Sequence, residues 1–211
     1  MTIPDVTSID AIMRAAPVIP VLVIDGALDP TALAETLVAA GLPVIEVTLR
    51  TPGAIAAVAA MARVKGAIVG AGTVLNTAMM DTAINAGARF IVSPGLTEPL
   101  ARAALAAKVA FLPGVATAGD IMRGLDLGLE RFKFFPAEAA GGLPALKALA
   151  GPFGNIRFCP TGGIGADTAA AWLAHPSVLC VGGSWMVRAG EDDLGAVAAR
   201  ARAAAGLARP A

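Results

Sequence analysis

Charged residues are scarce in this chain, and the two signs are balanced. Sixteen basic and sixteen acidic side chains give no formal net charge, and charged residues make up 15% of the 211 positions. Proteins that bind nucleic acid usually carry a basic face or stripe, and none is present here. Glycine, proline or a charge interrupts every apolar run well before the roughly 18 residues that a membrane span needs. We therefore expect neither a nucleic-acid partner nor a membrane partner.

Residues that form disulfides or hold metals are also few. The sequence contains two cysteines, Cys159 and Cys180, and one histidine, His175. The cysteines lack metal-type spacing, so we interpret both as free buried thiols in a reducing cytoplasm. Residues 1–10 lack the basic start and apolar core of a secretion signal. These absences predict a cytoplasmic protein without a metal site.

What the sequence does contain is a regular alternation of two kinds of segment. Apolar runs rich in β-branched residues alternate with alanine-rich stretches of helical length. The predicted strands cover 18–24, 44–50, 67–73, 90–94, 110–115, 131–136, 157–162 and 178–184. The predicted helices cover 29–40, 53–63, 76–86, 97–107, 117–127, 142–150, 166–174 and 191–205.

Eight strand–helix repeats without a linker predict an α/β fold with a single domain over residues 1–211. Strands that are apolar on both faces favour a parallel sheet covered by helices. Eight repeats favour closure into a (β/α)8 TIM barrel over an open, doubly wound sheet. A short additional helix near residues 7–15 is expected to cap the bottom of this barrel.

Lysine is rare, and one of the four lysines has an unusual position. Lys133 lies in an aromatic run between Arg131 and Pro136 that we interpret as a buried strand. Burial disfavours the ammonium form of an amine, and a neutral lysine amine can attack a carbonyl to form a Schiff base. The alternative is a strand-end lysine whose stem covers the aromatic rings while its ammonium group reaches water.

Further polar residues and glycines are predicted where strands end, at the edge of a barrel that carries its chemistry. Glu46, Thr48 and Arg50 alternate along the second predicted strand, so they are expected to share one face. If that face lines the interior, Glu46 and Arg50 enter the same cavity as Lys133. A structural ion pair that fills the barrel is the alternative interpretation.

Two glycine pairs lie at the ends of the last two predicted strands, at 162–163 and 182–183. Glycines leave backbone N–H groups unobstructed, and TIM barrels often bind a phosphate at these two loops. Turns also favour glycine for conformational reasons, so one pair alone would be weak evidence. Two pairs in the expected loops favour phosphate binding.

Seven short segments, in order along the chain, cover most of the predicted strand ends: PVIPV (17–21), EVTLRT (46–51), GAGTVL (70–75), SPGLT (93–97), KFFPAE (133–138), PTGGI (160–164) and GGSW (182–185). Together they resemble the 2-keto-3-deoxy-6-phosphogluconate (KDPG) and 4-hydroxy-2-oxoglutarate (KHG) aldolase family. The resemblance implies a TIM barrel, a homotrimer, and a class I aldolase of the Entner–Doudoroff pathway. The implied reaction is reversible cleavage of 2-dehydro-3-deoxy-6-phosphogluconate to pyruvate and D-glyceraldehyde 3-phosphate, with no metal or other cofactor.

The resemblance also implies roles for individual residues. Lys133 matches the Schiff-base lysine and Glu46 the general acid/base. The family positions that bind the pyruvate end of the substrate correspond to Arg50, Thr73, Pro94, Phe135 and Thr161. The position of Thr161 is also associated with stereochemistry at the aldol carbon. Phosphate binding is implied for Gly162, Gly163, Gly183 and Ser184. Ala140 and Gly165 replace residues that are common in the family, and both are predicted to lie in loops.

Three alternative functions remain open from the sequence. The first is the aldolase for the C4 epimer, 2-dehydro-3-deoxy-6-phosphogalactonate, and 4-hydroxy-2-oxoglutarate is a candidate additional substrate. The second is another phosphate-binding barrel, such as a small isomerase or a phosphosugar synthase. The third is a barrel that binds a ligand without catalysis, which would have no use for Glu46, Arg50 and Lys133 together.

Overall fold

The structure is a computed structural model that describes residues 8–208. Its strands are β1 (Val18–Leu22), β2 (Val44–Thr48), β3 (Ile68–Gly72), β4 (Phe90–Ser93), β5 (Ala110–Val115), β6 (Arg131–Phe134), β7 (Arg157–Pro160) and β8 (Val181–Gly183). Its helices are α1 (Ile9–Arg14), α2 (Pro30–Ala39), α3 (Ala54–Met61), α4 (Thr77–Asn85), α5 (Glu98–Ala106), α6 (Ala118–Asp126), α7 (Gly142–Ala150), α8 (Ala169–Leu173) and α9 (Leu194–Ala205).

The strands form one parallel sheet that closes on itself. Neighbouring strands follow chain order from β1 to β7, and β8 pairs with β1, as at Val18 and Val181. Between β7 and β8 the barrel is closed by two isolated parallel bridges, Phe158–Val178 and Thr161–Gly182. The predicted (β/α)8 TIM barrel is therefore confirmed.

Several helices begin where the sequence places a capping side chain. The Asp29 carboxylate accepts a hydrogen bond from the Ala32 N–H at the start of α2. Thr117 and Asp120 form a reciprocal capping box at the start of α6. Such caps satisfy N–H groups that have no partner within the helix, and they fix where each helix leaves its preceding loop.

The core has two layers, separated by the strands. One apolar cluster lies inside the barrel and includes Ile19, Val44 and Phe90, and the other lies between the strands and the outer helices. Ile12 and Met13 of α1 belong to the inner cluster. α1 therefore closes the barrel at the end where the strands begin, as predicted.

The N-terminal helix α1 is shorter than the sequence predicts. The helix predicted near 7–15 covers Ile9–Arg14 in the structure. Residues 1–7 and 209–211 lie outside the described residues. Residues 1–7 include Thr7, the first residue of the predicted helix, and most of the 1–10 segment that is expected not to be a secretion signal. Within 8–208, no helix combines the length and the apolar character needed to cross a membrane.

All strands except β5 end earlier than the sequence indicates, and this corrects one prediction. β2 ends at Thr48, and the Arg50 N–H turns back to the Thr48 carbonyl at 2.8 Å. Arg50 therefore lies in the loop after β2, and the prediction that it shares a strand face with Glu46 and Thr48 is wrong. Thr73 likewise follows β3, with a left-handed φ of 59° that ends the extended conformation.

Candidate active site

A lysine and a glutamate form a buried ion pair inside the barrel. Lys133 Nζ on β6 lies 3.2 Å from Glu46 Oε1 on β2, and the side chains are only 7% and 4% exposed. Three strands separate β2 from β6 in the sheet, so the contact spans the barrel interior. An amine and a carboxylate at this distance can exchange a proton directly.

The aromatic residues around Lys133 face two different layers. The Phe135 ring lies on the side of Lys133, with its centroid 5.2 Å from Nζ, which is within cation–π range. Phe132 and Phe134 belong to the outer core between strands and helices. The alternation predicted for this segment is therefore observed. Lys133 is excluded from water by the barrel interior and by Phe135.

Glu46 has its position because β3 carries a glycine beside it. A Cβ atom at Gly72 would lie 2.1 Å from Glu46 Oε1, far inside van der Waals contact. Any side chain at position 72 would therefore displace the carboxylate from its place beside Lys133. Strand alternation puts Gly72 on the interior face of β3, but nothing in the sequence indicates its contact with Glu46.

We expect Gly72→Ala to lower kcat of the reaction catalysed at this site by roughly ten- to a hundredfold. Displacement of the Glu46 carboxylate by about 1 Å is enough for such a loss. The measurement is steady-state kinetics together with a thermal melt. Gly53→Ala is the matched control, since Gly53 has a φ of −80° and no atom near its Cβ position. A Gly72→Ala protein with the wild-type kcat would show that the position of Glu46 does not limit the reaction.

Arg50 and Thr73 form a second polar pair. Arg50 Nε donates a hydrogen bond of 3.3 Å to Thr73 Oγ1, and the arginine is exposed. A φ of 59° is costly for a β-branched residue, and such strain is concentrated at functional sites. A guanidinium held in this way presents a planar donor fork that suits a carboxylate. Gly72, which contacts Glu46, directly precedes Thr73 and connects the two pairs along the chain.

Thr161 is buried at the mouth end of β7. Cys159, two residues earlier, pairs in register with Lys133, so Thr161 lies one step further toward the mouth on the same face. Its hydroxyl is within 3.4 Å of the Cys159 carbonyl, and a Cβ at Gly182 would come within 2.3 Å of Thr161 Oγ1. Thr161 therefore occupies space that Gly182 leaves open.

The residues predicted to bind phosphate lie at the ends of β7 and β8: Gly162 and Gly163 in the loop after β7, Gly183 as the last residue of β8, and Ser184 directly after it. Gly162 and Gly163 have left-handed φ values of 105° and 82°, a conformation that strongly favours glycine. A Cβ at Gly162 would be 3.4 Å from the Phe135 ring, so this loop borders the Lys133 side of the site. Gly183 packs closely against the Trp185 ring, and Ser184 is exposed.

Pro94 is partly buried at the end of β4, and its carbonyl lies against β5. A Cβ at Gly114 would be 2.1 Å from the Pro94 oxygen, and Gly114 pairs in register with Lys133. Both cysteines are buried thiols outside any disulfide, as predicted. Within the described part of the chain, no group of three or more His, Cys, Asp or Glu residues is placed to hold a metal ion.

Comparisons with known proteins agree on one family. The family model for KDPG and KHG aldolase matches residues 9–199. A 2-dehydro-3-deoxy-phosphogluconate aldolase of Zymomonas mobilis is 58% identical over 203 residues, which are 96% of this chain and 98% of the relative.

Two solved structures have closely similar folds. The crystal structure of a Zymomonas mobilis 2-keto-3-deoxy-6-phosphogluconate aldolase aligns with a TM-score of 0.94 and 58% identity, covering 96% of this chain and 98% of that one. A Legionella pneumophila KDPG aldolase, with pyruvate captured as a covalent carbinolamine at low pH, aligns with a TM-score of 0.90 and 42% identity. That alignment covers 94% of this chain and 98% of the other.

Proposed function

The chain belongs to the KDPG and KHG aldolase family, and we propose on this basis that it is a class I aldolase acting on 2-dehydro-3-deoxy-6-phosphogluconate. Its products would be pyruvate and D-glyceraldehyde 3-phosphate, and the reaction would run in both directions. The observation that carries this proposal is the buried contact between Lys133 and Glu46. A lysine held beside a proton acceptor inside a barrel is what Schiff-base formation requires.

The first half of the reaction forms the Schiff base. Transfer of a proton from Lys133 to Glu46 leaves a neutral amine, which attacks the C2 ketone to form a carbinolamine. Glu46 then protonates the departing hydroxyl, water leaves, and a cationic iminium joins Nζ to C2. A carbinolamine of pyruvate has been captured in the Legionella relative, which supports this route.

The second half breaks the bond between C3 and C4. The Glu46 carboxylate removes the proton of the C4 hydroxyl, the aldehyde leaves, and the bonding electrons pass to the iminium to give an enamine. Protonation at C3 and hydrolysis then release pyruvate and restore Lys133. The iminium accepts the electrons, so the route needs no metal ion or organic cofactor.

The remaining site residues would orient the substrate. Arg50 and Thr73 would bind the carboxylate, in keeping with their mutual hydrogen bond near the mouth. Pro94, Phe135 and Thr161 would line the pocket for the pyruvate portion. Backbone N–H groups at Gly162, Gly163 and Gly183, with the Ser184 hydroxyl, would bind the phosphate and hold C3–C4 in place.

The competing substrate is the galactonate epimer at C4. We favour the gluconate epimer because the Zymomonas relative, at 58% identity, is named for the gluconate substrate. Thr161 supports the same choice, because it matches the family position associated with stereochemistry at the aldol carbon and lies one step toward the mouth from Cys159, the residue in register with Lys133.

The test is to measure kcat/KM for cleavage of each purified epimer, with pyruvate release as the signal. We expect the gluconate epimer to be preferred by more than about tenfold, since a site that hydrogen-bonds a substrate hydroxyl discriminates strongly. Equal values, or a preference for the galactonate epimer, would contradict the assignment. Cleavage of 4-hydroxy-2-oxoglutarate, measured in parallel, determines whether the phosphate is needed.

Cellular context and assembly are part of the same proposal. Two buried cysteines that form no disulfide support a reducing, cytoplasmic location. The resemblance supports a homotrimer and a place in the Entner–Doudoroff pathway. The continuous closed sheet supports treating residues 1–211 as one domain.

A further inference from the structure

The loop after β6 is bound tightly to the glycine loop after β7. The Ala137 N–H donates to the Thr161 carbonyl at 2.8 Å, and the Glu138 N–H donates to the Gly162 carbonyl at 3.0 Å. These two hydrogen bonds continue the pairing of β6 with β7 beyond the ends of both strands. The Schiff-base strand and the glycine loop are thus held together by adjacent backbone groups.

The Glu138 side chain adds a second connection between these loops. Its stem packs on the backbone of Gly163, where a Cβ atom would lie 2.7 Å from both Cβ and Cγ of Glu138. Its Oε1 accepts a hydrogen bond of 3.0 Å from Trp172 Nε1 on α8. Its Oε2 lies near Gly142, where a Cβ would be at 3.3 Å. The carboxylate is therefore bonded to Trp172 and borders Gly142, while its stem covers the glycine loop.

Trp172 gives this connection a rigid base. It is buried, and its ring centroid lies 6.2 Å from that of Phe134, the residue that follows Lys133. An indole N–H that donates to a carboxylate makes a stronger hydrogen bond than a neutral pair does. Glu138 thus connects a packed aromatic residue to a loop that has left-handed glycines and no side chains of its own.

We propose that Glu138 is a positioning residue for phosphate recognition. Through its bond to Trp172 it fixes the Gly162–Gly163 segment in the conformation that presents backbone N–H groups to the substrate phosphate. This inference rests on the proposed function, because it assigns phosphate binding to that segment. Glu138 itself makes no contact with the reacting carbons in this account.

The test separates binding of the phosphate end from chemistry at the pyruvate end. Three single variants are compared with the wild type: Glu138→Ala, Glu138→Gln and Trp172→Phe. For each, kcat and KM are measured with the phosphorylated substrate. Exchange of pyruvate methyl protons with D2O is followed by NMR, since it needs the Schiff base but no phosphate. Melting temperatures establish that each protein is folded.

We expect Glu138→Ala and Trp172→Phe to raise KM about tenfold, the scale of one lost charge-assisted hydrogen bond. Pyruvate exchange should stay within about twofold of the wild type, because Lys133 and Glu46 are untouched. Glu138→Gln keeps an oxygen acceptor for the indole and should retain a KM near the wild-type value. A double variant that combines Glu138→Ala with Trp172→Phe should raise KM no further than either single variant, because both changes remove the same bond.

Two results would overturn the proposal. An unchanged KM in Glu138→Ala would show that the loop keeps its conformation without the carboxylate. A rise in KM accompanied by an equal fall in the rate of pyruvate exchange would show that Glu138 has a general structural role. Failure of the wild type itself to exchange pyruvate protons would instead count against the proposed aldolase function, so the two failures are distinguishable.

Discussion

Lys133→Ala is expected to lower kcat by on the order of 10⁴-fold or more. Every later step depends on the covalent bond at Nζ, so loss of this nucleophile costs about as much as loss of the whole catalytic group. Without Nζ no iminium forms, and the electrons of the C3–C4 bond have no acceptor. Pyruvate release from the phosphorylated substrate measures the loss. The variant leaves Glu46 buried without its ion-pair partner, so its melting temperature should also fall.

The control for this loss is a lysine at the surface. Lys65 is exposed, and Lys65→Ala should retain wild-type turnover. Circular dichroism at the assay temperature checks that the Lys133→Ala protein is folded. A folded Lys133→Ala variant with turnover within tenfold of the wild type would assign the chemistry to another group.

Glu46→Gln is expected to slow turnover by roughly 10²- to 10⁴-fold, the usual contribution of a general acid/base. The amide has nearly the same shape as the carboxylate and fits beside Gly72, so the change removes proton transfer and little volume. Exchange of pyruvate methyl protons should fall along with cleavage, because both need a proton to move at the iminium.

Glu35→Gln is the matched control, since Glu35 lies exposed on α2. It should leave both rates unchanged. Near wild-type turnover in Glu46→Gln would reduce the carboxylate to a structural counter-ion for Lys133. A loss of cleavage without a loss of exchange would confine its role to the C4 hydroxyl.

Much of the fold and part of the site follow from periodicity in the sequence. Alternating apolar and alanine-rich segments predict eight strands and their helices, because each strand must bury both faces. Strand alternation predicts that Glu46 and Lys133 point inward, and the structure joins them at 3.2 Å. The same alternation separates Phe135, beside the amine, from Phe132 and Phe134 in the outer layer.

What the sequence does not predict depends on three-dimensional proximity. Alternation of apolar and polar residues continues through 44–50 and predicts a strand that includes Arg50, but β2 ends at Thr48 and the Arg50 N–H turns back to the Thr48 carbonyl. The contact of Glu46 with Gly72 depends on how a side chain leans across a neighbouring strand. The bond from Trp172 to Glu138 joins residues 34 positions apart through loops whose path no periodicity determines.

The central claim is that Lys133 forms a Schiff base with the keto acid, and borohydride tests it most directly. Borohydride adds hydride to the C2 carbon of the iminium and converts it to a stable secondary amine. The protein is treated with pyruvate and borohydride, digested, and mapped by mass spectrometry. We predict a pyruvate-derived adduct on the peptide that contains Lys133 and none on Lys65, Lys108 or Lys147. An unmodified Lys133 peptide, or an adduct confined to another lysine, would contradict the account.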